Sequence, residues 1–178
     1  MTAEAFWLII ENAGKKGNDD LDAIYDELWD QLCALEIPEL MQWTLILEEY
    51  RNLAHTGKLW AAANVIQDGC TLSMFQSFLG GLISRGKTVY LDALRDTQTI
   101  ADSGALNEDA FFEEIWHVGK SAYFQKMKIV QWDNARFWKE LGRHTLDETL
   151  REQLRVEAET EDNAGILQNV GLSKKYAS

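Results

Sequence analysis

The chain has 178 residues and a mass of 20.3 kDa, with seven Trp, a single Pro and a formal net charge of -12. That length fits one domain, and 46% hydrophobic against 26% charged residues is too apolar for a disordered chain. A surface this acidic, with a pI near 4.6, repels nucleic-acid phosphates and anionic lipid, which disfavours direct DNA or RNA binding and favours a basic protein partner. The plainer meaning of the charge is that it keeps a cytoplasmic protein soluble.

Apolar residues recur at helical spacing along nearly the whole chain, and no run of β-branched alternation appears, so the sequence predicts an all-α fold. Thr2 caps a first helix carrying Phe6, Trp7 and Ile10, which ends at Gly14 to Gly17. Asp19 or Asp20 opens a second, with Leu21, Ile24, Tyr25, Leu28, Leu32 and Leu35 on one stripe. Pro38 fits the first turn of a third helix through Tyr50, and a fourth runs from about Leu59 to Gln67 and stops at Gly69.

Thr71 or Ser73 caps a fifth helix, with Phe75, Phe78, Leu79 and Leu82 facing inward and Gly86 closing it. A short sixth covers Lys87 to Arg95, and Asp96 to Asn107 reads as a loop. Asn107 is expected to cap a long seventh helix to about Lys128, followed by an eighth over Trp132 to Leu141. Thr145 and Glu148 have capping-box spacing for a charged ninth helix, and a polar tail follows from Asp162. The expected organisation is one compact multi-helix domain, a core over residues 1–128 with a helical extension and tail over 129–178 packed on it.

Cys33 and Cys70 lack any CxxC or Cys/His spacing and are expected to be buried free thiols. The start Met1-Thr2-Ala3-Glu4 has no basic leader, and no stretch is apolar enough to span a membrane, so no membrane partner and a cytoplasmic location are expected.

The string from Gly81 to Thr88 matches GxxxxGK[ST] letter for letter. A phosphate cradle needs a buried strand before it, and residues 74 to 79 have helical spacing instead, so the string reads as a helix end. Glu114 and His117 have the Glu-x-x-His spacing that puts a carboxylate and an imidazole on one helical face. A di-iron bundle needs that motif twice; the nearest second pair, Glu140 and His144, is spaced by four. Glu48, Glu49 and His55 are the other candidate ligands, and nothing in the spacing demands a metal, so no cofactor is expected. Most aromatic residues, including Phe6, Trp7, Trp29, Trp43, Trp60, Phe75 and Phe78, fall on apolar stripes and belong to a core. Trp116, Trp132 and Trp138 lie in more polar surroundings and are the candidate partner anchors.

Several segments together resemble a known bacterial family. They are the Phe6-Trp7 pair, Leu59-Trp60-Ala61-Ala62-Ala63 with Gly69, Phe75 and Phe78 three apart, and Leu82-Ile83 leading to Gly86-Lys87 and Val89-Tyr90. This pattern resembles DUF4240, a domain of unknown function, over about residues 4 to 101 and more weakly to Tyr123. The resemblance implies a small helical intracellular domain and no reaction. It departs at Leu79 and Gly81, where many members carry Arg and Trp.

The favoured functional expectation is a protein-interaction module, in its sharpest form an immunity-type protein neutralising a basic partner or toxin. The alternative is a metal-dependent or acid/base enzyme in which Glu114 and His117 converge with a carboxylate such as Glu48 or Glu49.

Overall fold

The structure, a computed structural model, describes residues 1–18, 20–102, 111–129 and 133–159. Within them it is all helical: α1 (Ala3–Gly17), α2 (Leu21–Ala34), α3 (Ile37–Leu53), α4 (Gly57–Ile66), α5 (Leu72–Ser84), α6 (Lys87–Arg95), α7 (Gln98–Asp102), α8 (Ile115–Lys126), α9 (Asn134–Leu141) and α10 (Glu148–Ala158). No strand occurs among the described residues. Asp19, Asn107, Trp132 and the tail from Asp162, all given roles by the sequence pattern, lie outside the described residues.

Side-chain caps fix most of the starts. The Thr2 hydroxyl accepts from Ala5 N, the Asp20 carboxylate from Asp22 and Ala23 N, and the Thr71 hydroxyl from Met74 N. α3 begins with Pro38 in its first turn and a capping box between Glu36 and Glu39. α3 buries Leu40, Met41, Trp43, Thr44, Ile46, Leu47 and Tyr50, so most of its circumference is interior. It packs against α1, α8, α9 and α10, while α2 fills the space between α1 and α8.

The Phe6-Trp7 pair is the centre of the core. Trp7 Nε1 donates to the Tyr50 hydroxyl at 2.8 Å, and the Tyr90 hydroxyl donates to the Tyr50 carbonyl at 2.6 Å. Phe6 packs on Trp7, Trp43 and Tyr50 with ring centres 5.1 to 5.5 Å apart. Of the seven aromatic residues expected inside, Phe6, Trp7, Trp43, Phe75 and Phe78 are buried and Trp29 and Trp60 are half-buried against the core. Leu79 and Gly81 are buried as well, so the positions where this chain departs from its resemblance are interior ones.

Several boundaries differ from the sequence pattern. The segment after Arg95 was expected to be a loop, yet it contains α7, whose preceding Asp96 side chain accepts from Gln98 N at 2.9 Å. The long helix expected from Asn107 begins only at Ile115. Tertiary contact overrides the local periodicity there: Phe112 N donates to the Ser77 carbonyl of α5 at 2.9 Å. That approach requires Gly80, because a Cβ on it would lie 2.0 Å from the Phe112 carbonyl oxygen. α10 is capped by Asp147, which accepts from Thr149 and Leu150 N, rather than by a Thr145 capping box. α4 begins at Gly57 behind a Thr56 cap, earlier than expected. Cys33 and Cys70 are free but only half-buried.

Gly80→Ala forces the Phe112 segment off α5 and lowers unfolding free energy in urea by about 1–3 kcal/mol. Gly57→Ala, with nothing within 4 Å of the added carbon, leaves stability unchanged or slightly higher. Burial raises the pKa of both Tyr50 and Tyr90, so the fold favours their protonated forms. Their contribution is complete below the unfolded tyrosine value of about 10 and is lost as pH rises through the higher folded-state values. Unfolding measured above about pH 10 therefore shows falling stability, with a shallower fall in Tyr90→Phe.

Candidate functional site

Two surface depressions contain chemically distinctive side chains. The first is a cleft of about 410 Å³ where the end of α3 meets the starts of α5 and α8. α3 contributes Arg51 and Asn52, the turn after it His55, α5 Leu72 and Gln76, and the start of α8 Trp116 and His117 with Glu113 just before. The Arg51 guanidinium lies 5.2 Å from the centre of the Trp116 ring and is also paired with Glu48. Burial raises the Glu48 pKa despite the opposing charge of Arg51. Trp116 Nε1 donates to the Gln76 carbonyl at 3.1 Å, so this half-buried indole is tied into the wall. His55 sits edge-on to Phe75, with ring centres 5.2 Å apart.

The expected metal residues do not assemble as one set. His117 lines the cleft, but Glu114 does not. Glu48 turns to Arg51, whereas Glu49 turns to Arg151 and Arg155 of α10, at 3.8 and 3.7 Å. Glu140 of α9 and His144 of the turn after it approach to 3.4 Å, and Glu140 also pairs with Arg143 at 2.7 Å. Among the described residues no three His, Cys, Asp or Glu side chains are grouped to hold a metal ion.

Of the candidate aromatic anchors, Trp138 is 54% exposed on α9, stacked edge-on against buried Phe137. The depression along α9 is lined by Arg136, Lys139 and Arg143 with Asp133 and Glu140, so its charge is mixed and slightly basic.

The Gly81–Thr88 string is a helix–turn–helix joint. Gly81 to Ser84 are buried in α5, and the Ser84 hydroxyl donates to the Gly81 carbonyl at 2.7 Å. Gly86 has φ of +94° as N-cap of α6, and the Glu11 side chain packs beside it. The depression at this joint is lined by the Glu11 carboxylate together with Lys15, Arg85 and Lys87.

The second depression was not visible in the sequence because it joins the start of α1 to α10, far apart along the chain. It is a groove of about 860 Å³ between the start of α1 and α10, with Met1, Leu150 and Val156 as its apolar part. Glu4, Asp147, Glu152 and Glu157 also line it, and among the described residues no Lys or Arg does. Hydrogen bonds from its own backbone N–H and from the Thr2 side chain hold the Glu4 carboxyl below its ordinary pKa. Glu157 is anchored by Lys87 of α6 at 3.1 Å, and after burial its negative charge is one of the causes that raise the Tyr50 pKa. Val156 is 59% exposed, and this one apolar residue on a charged helix face was the signal available in the sequence.

A family model described as a protein of unknown function, DUF4240, matches residues 1–125, and the chain belongs to that family. No curated protein and no solved structure matches the chain. The matched region includes the whole Arg51–Trp116 cleft and only the α1 side of the acidic groove.

Removing Arg51 leaves Glu48 part-buried without its cation. Arg51→Ala is expected to cost about 1–2 kcal/mol in urea unfolding, and Arg51→Ala with Glu48→Gln recovers part of that loss, as a double-mutant cycle measures.

Proposed function

We propose that this member of the DUF4240 family is a protein-interaction module whose groove between α1 and α10 receives a basic segment of a partner protein. The observation that carries this reading is the composition of the groove: four carboxylates, one of them (Glu157) paired with Lys87, around a partly exposed apolar strip, with no Lys or Arg among its described lining residues. Carboxylates attract Lys and Arg over distances near the Debye length and speed encounter. The apolar strip of Met1, Leu150 and Val156 supplies the desolvated contact that charge pairs at a rim do not.

The net charge of -12 extends the same attraction over the whole molecule. In its sharpest form the partner is a basic toxin and the protein is its immunity-type antagonist, working in the cytoplasm. Two half-buried cysteines that stay free fit such a compartment. The lack, among the described residues, of a helix able to cross a membrane fits it too. Trp138 is not the anchor in this reading, because it lies on α9, outside the lining of the groove.

The protein is purified from its native host at low salt and the co-purifying partner identified. That partner is basic, and its association rate falls about tenfold or more when salt rises from tens to hundreds of millimolar. Val156→Asp and Glu152→Lys, both exposed, each weaken it about tenfold or more, while Trp138→Ala does not. Undiminished binding by both groove variants overturns the proposal.

A further inference from the structure

We propose that the cleft between the end of α3 and the starts of α5 and α8 binds a small zwitterion, an amino-acid-sized molecule carrying a carboxylate and an ammonium group. The cleft shares no lining residue with the acidic groove, so this inference stands apart from the partner reading.

Its volume of about 410 Å³ is in the range of small-ligand sites. What distinguishes it is that opposite charges are fixed on separate elements. On the α3 side, Arg51 is held from two directions, by Glu48 and by the Trp116 ring. A guanidinium has five N–H donors in a planar fork, and the hydrogen bond to Glu48 uses Nη2, so donors remain for a carboxylate. A side chain already held in place loses little further freedom when it binds.

On the α5 and α8 side, Glu113 supplies a carboxylate, 3.5 Å from the Ser77 hydroxyl. Beside it Gln76 Oε1 is buried and has no hydrogen-bond partner. Buried acceptors normally have a donor, and one left without marks a place where a ligand or water supplies it. A ligand ammonium in the cleft provides donors for Glu113. A simple anion would meet Arg51 but also face Glu113, and a simple cation would meet Glu113 but also face Arg51. Only a molecule with both charges satisfies both sides. Leu72, 59% exposed at the lip, offers an apolar surface to the ligand's substituent.

The Trp116 indole N–H, bonded to the Gln76 carbonyl, reports on the cleft in proton–nitrogen NMR spectra. The twenty common L-amino acids are titrated singly at constant ionic strength, with acetate and methylammonium as single-charge probes. At least one amino acid moves that resonance to saturation below about 10 mM, and both single-charge probes bind about tenfold more weakly or worse. Arg51→Gln and Glu113→Gln each lower the affinity about tenfold or more, and Glu114→Gln, outside the lining, does not. Three results overturn the proposal: no amino acid saturates, a single-charge probe binds as tightly, or the variants keep wild-type affinity. Should Arg51→Gln fail to fold, exposed Glu113→Gln decides alone.

Discussion

The fold depends on one buried aromatic junction. Trp7 of α1, Tyr50 of α3 and Tyr90 of α6 meet with ring centres 4.8 to 5.4 Å apart, and two hydrogen bonds fix their mutual orientation. Burying these rings supplies a large apolar contribution, but each also brings a polar tip that needs a partner. Tyr50 answers for two of them, since its hydroxyl accepts from Trp7 and its carbonyl from Tyr90. The cost of leaving such groups unpaired inside makes the arrangement of the three helices specific rather than merely hydrophobic. Trp43 shows the contrast: its Nε1 is buried without a partner, so its indole acts there as apolar bulk.

The acidic groove is set by the packing of α10 on α3 and α6, the helices that carry Tyr50 and Tyr90. Lys87 of α6 holds Glu157 of α10 at 3.1 Å. Glu49 adds ion pairs with Arg151 and Arg155, and Leu154 and Ala158 are buried beneath the same helix. Arginines of α10 are drawn toward α3 by these pairs. Glu152 and Val156 meanwhile line the groove with Glu4. The same arginines also approach acidic residues of their own helix, Arg151 with Glu148 at 2.9 Å and Arg155 with Glu152 at 3.9 Å, so the separation of the two signs is partial.

The cleft depends on a different constraint, the passage of the Phe112 segment across Gly80. That crossing stops the helical pattern short of Ile115 and sets Glu113, Trp116 and His117 beside Arg51 and Gln76. Glycine at 119 plays a similar part farther along α8, where an added carbon would lie 2.7 Å from the Thr44 hydroxyl oxygen. Two close backbone approaches therefore register α8 against α5 and α3, and the cleft is the gap left at one end of that packing.

The sequence by itself determined the helical class, most helix starts and the interior aromatic stripe. Those features rest on local physics: apolar spacing of three to four residues, and Thr, Asp and Pro at positions where a helix start needs them. It also marked Trp116 and His117, as polar-context residues on a helix, without showing that Arg51, His55 and Gln76 would join them. Tertiary structure alone decided where α8 begins, because the pull on Phe112 comes from α5, some thirty residues earlier in the chain. It alone separated Glu48 from Glu49, neighbours in sequence that turn to Arg51 on one side and to α10 on the other. Of the acidic groove a local pattern could mark only Val156, since its lining comes from the start of the chain and from α10. Spacing along a chain fixes which face of a helix is apolar; which charges end up facing one another is settled only when the helices pack.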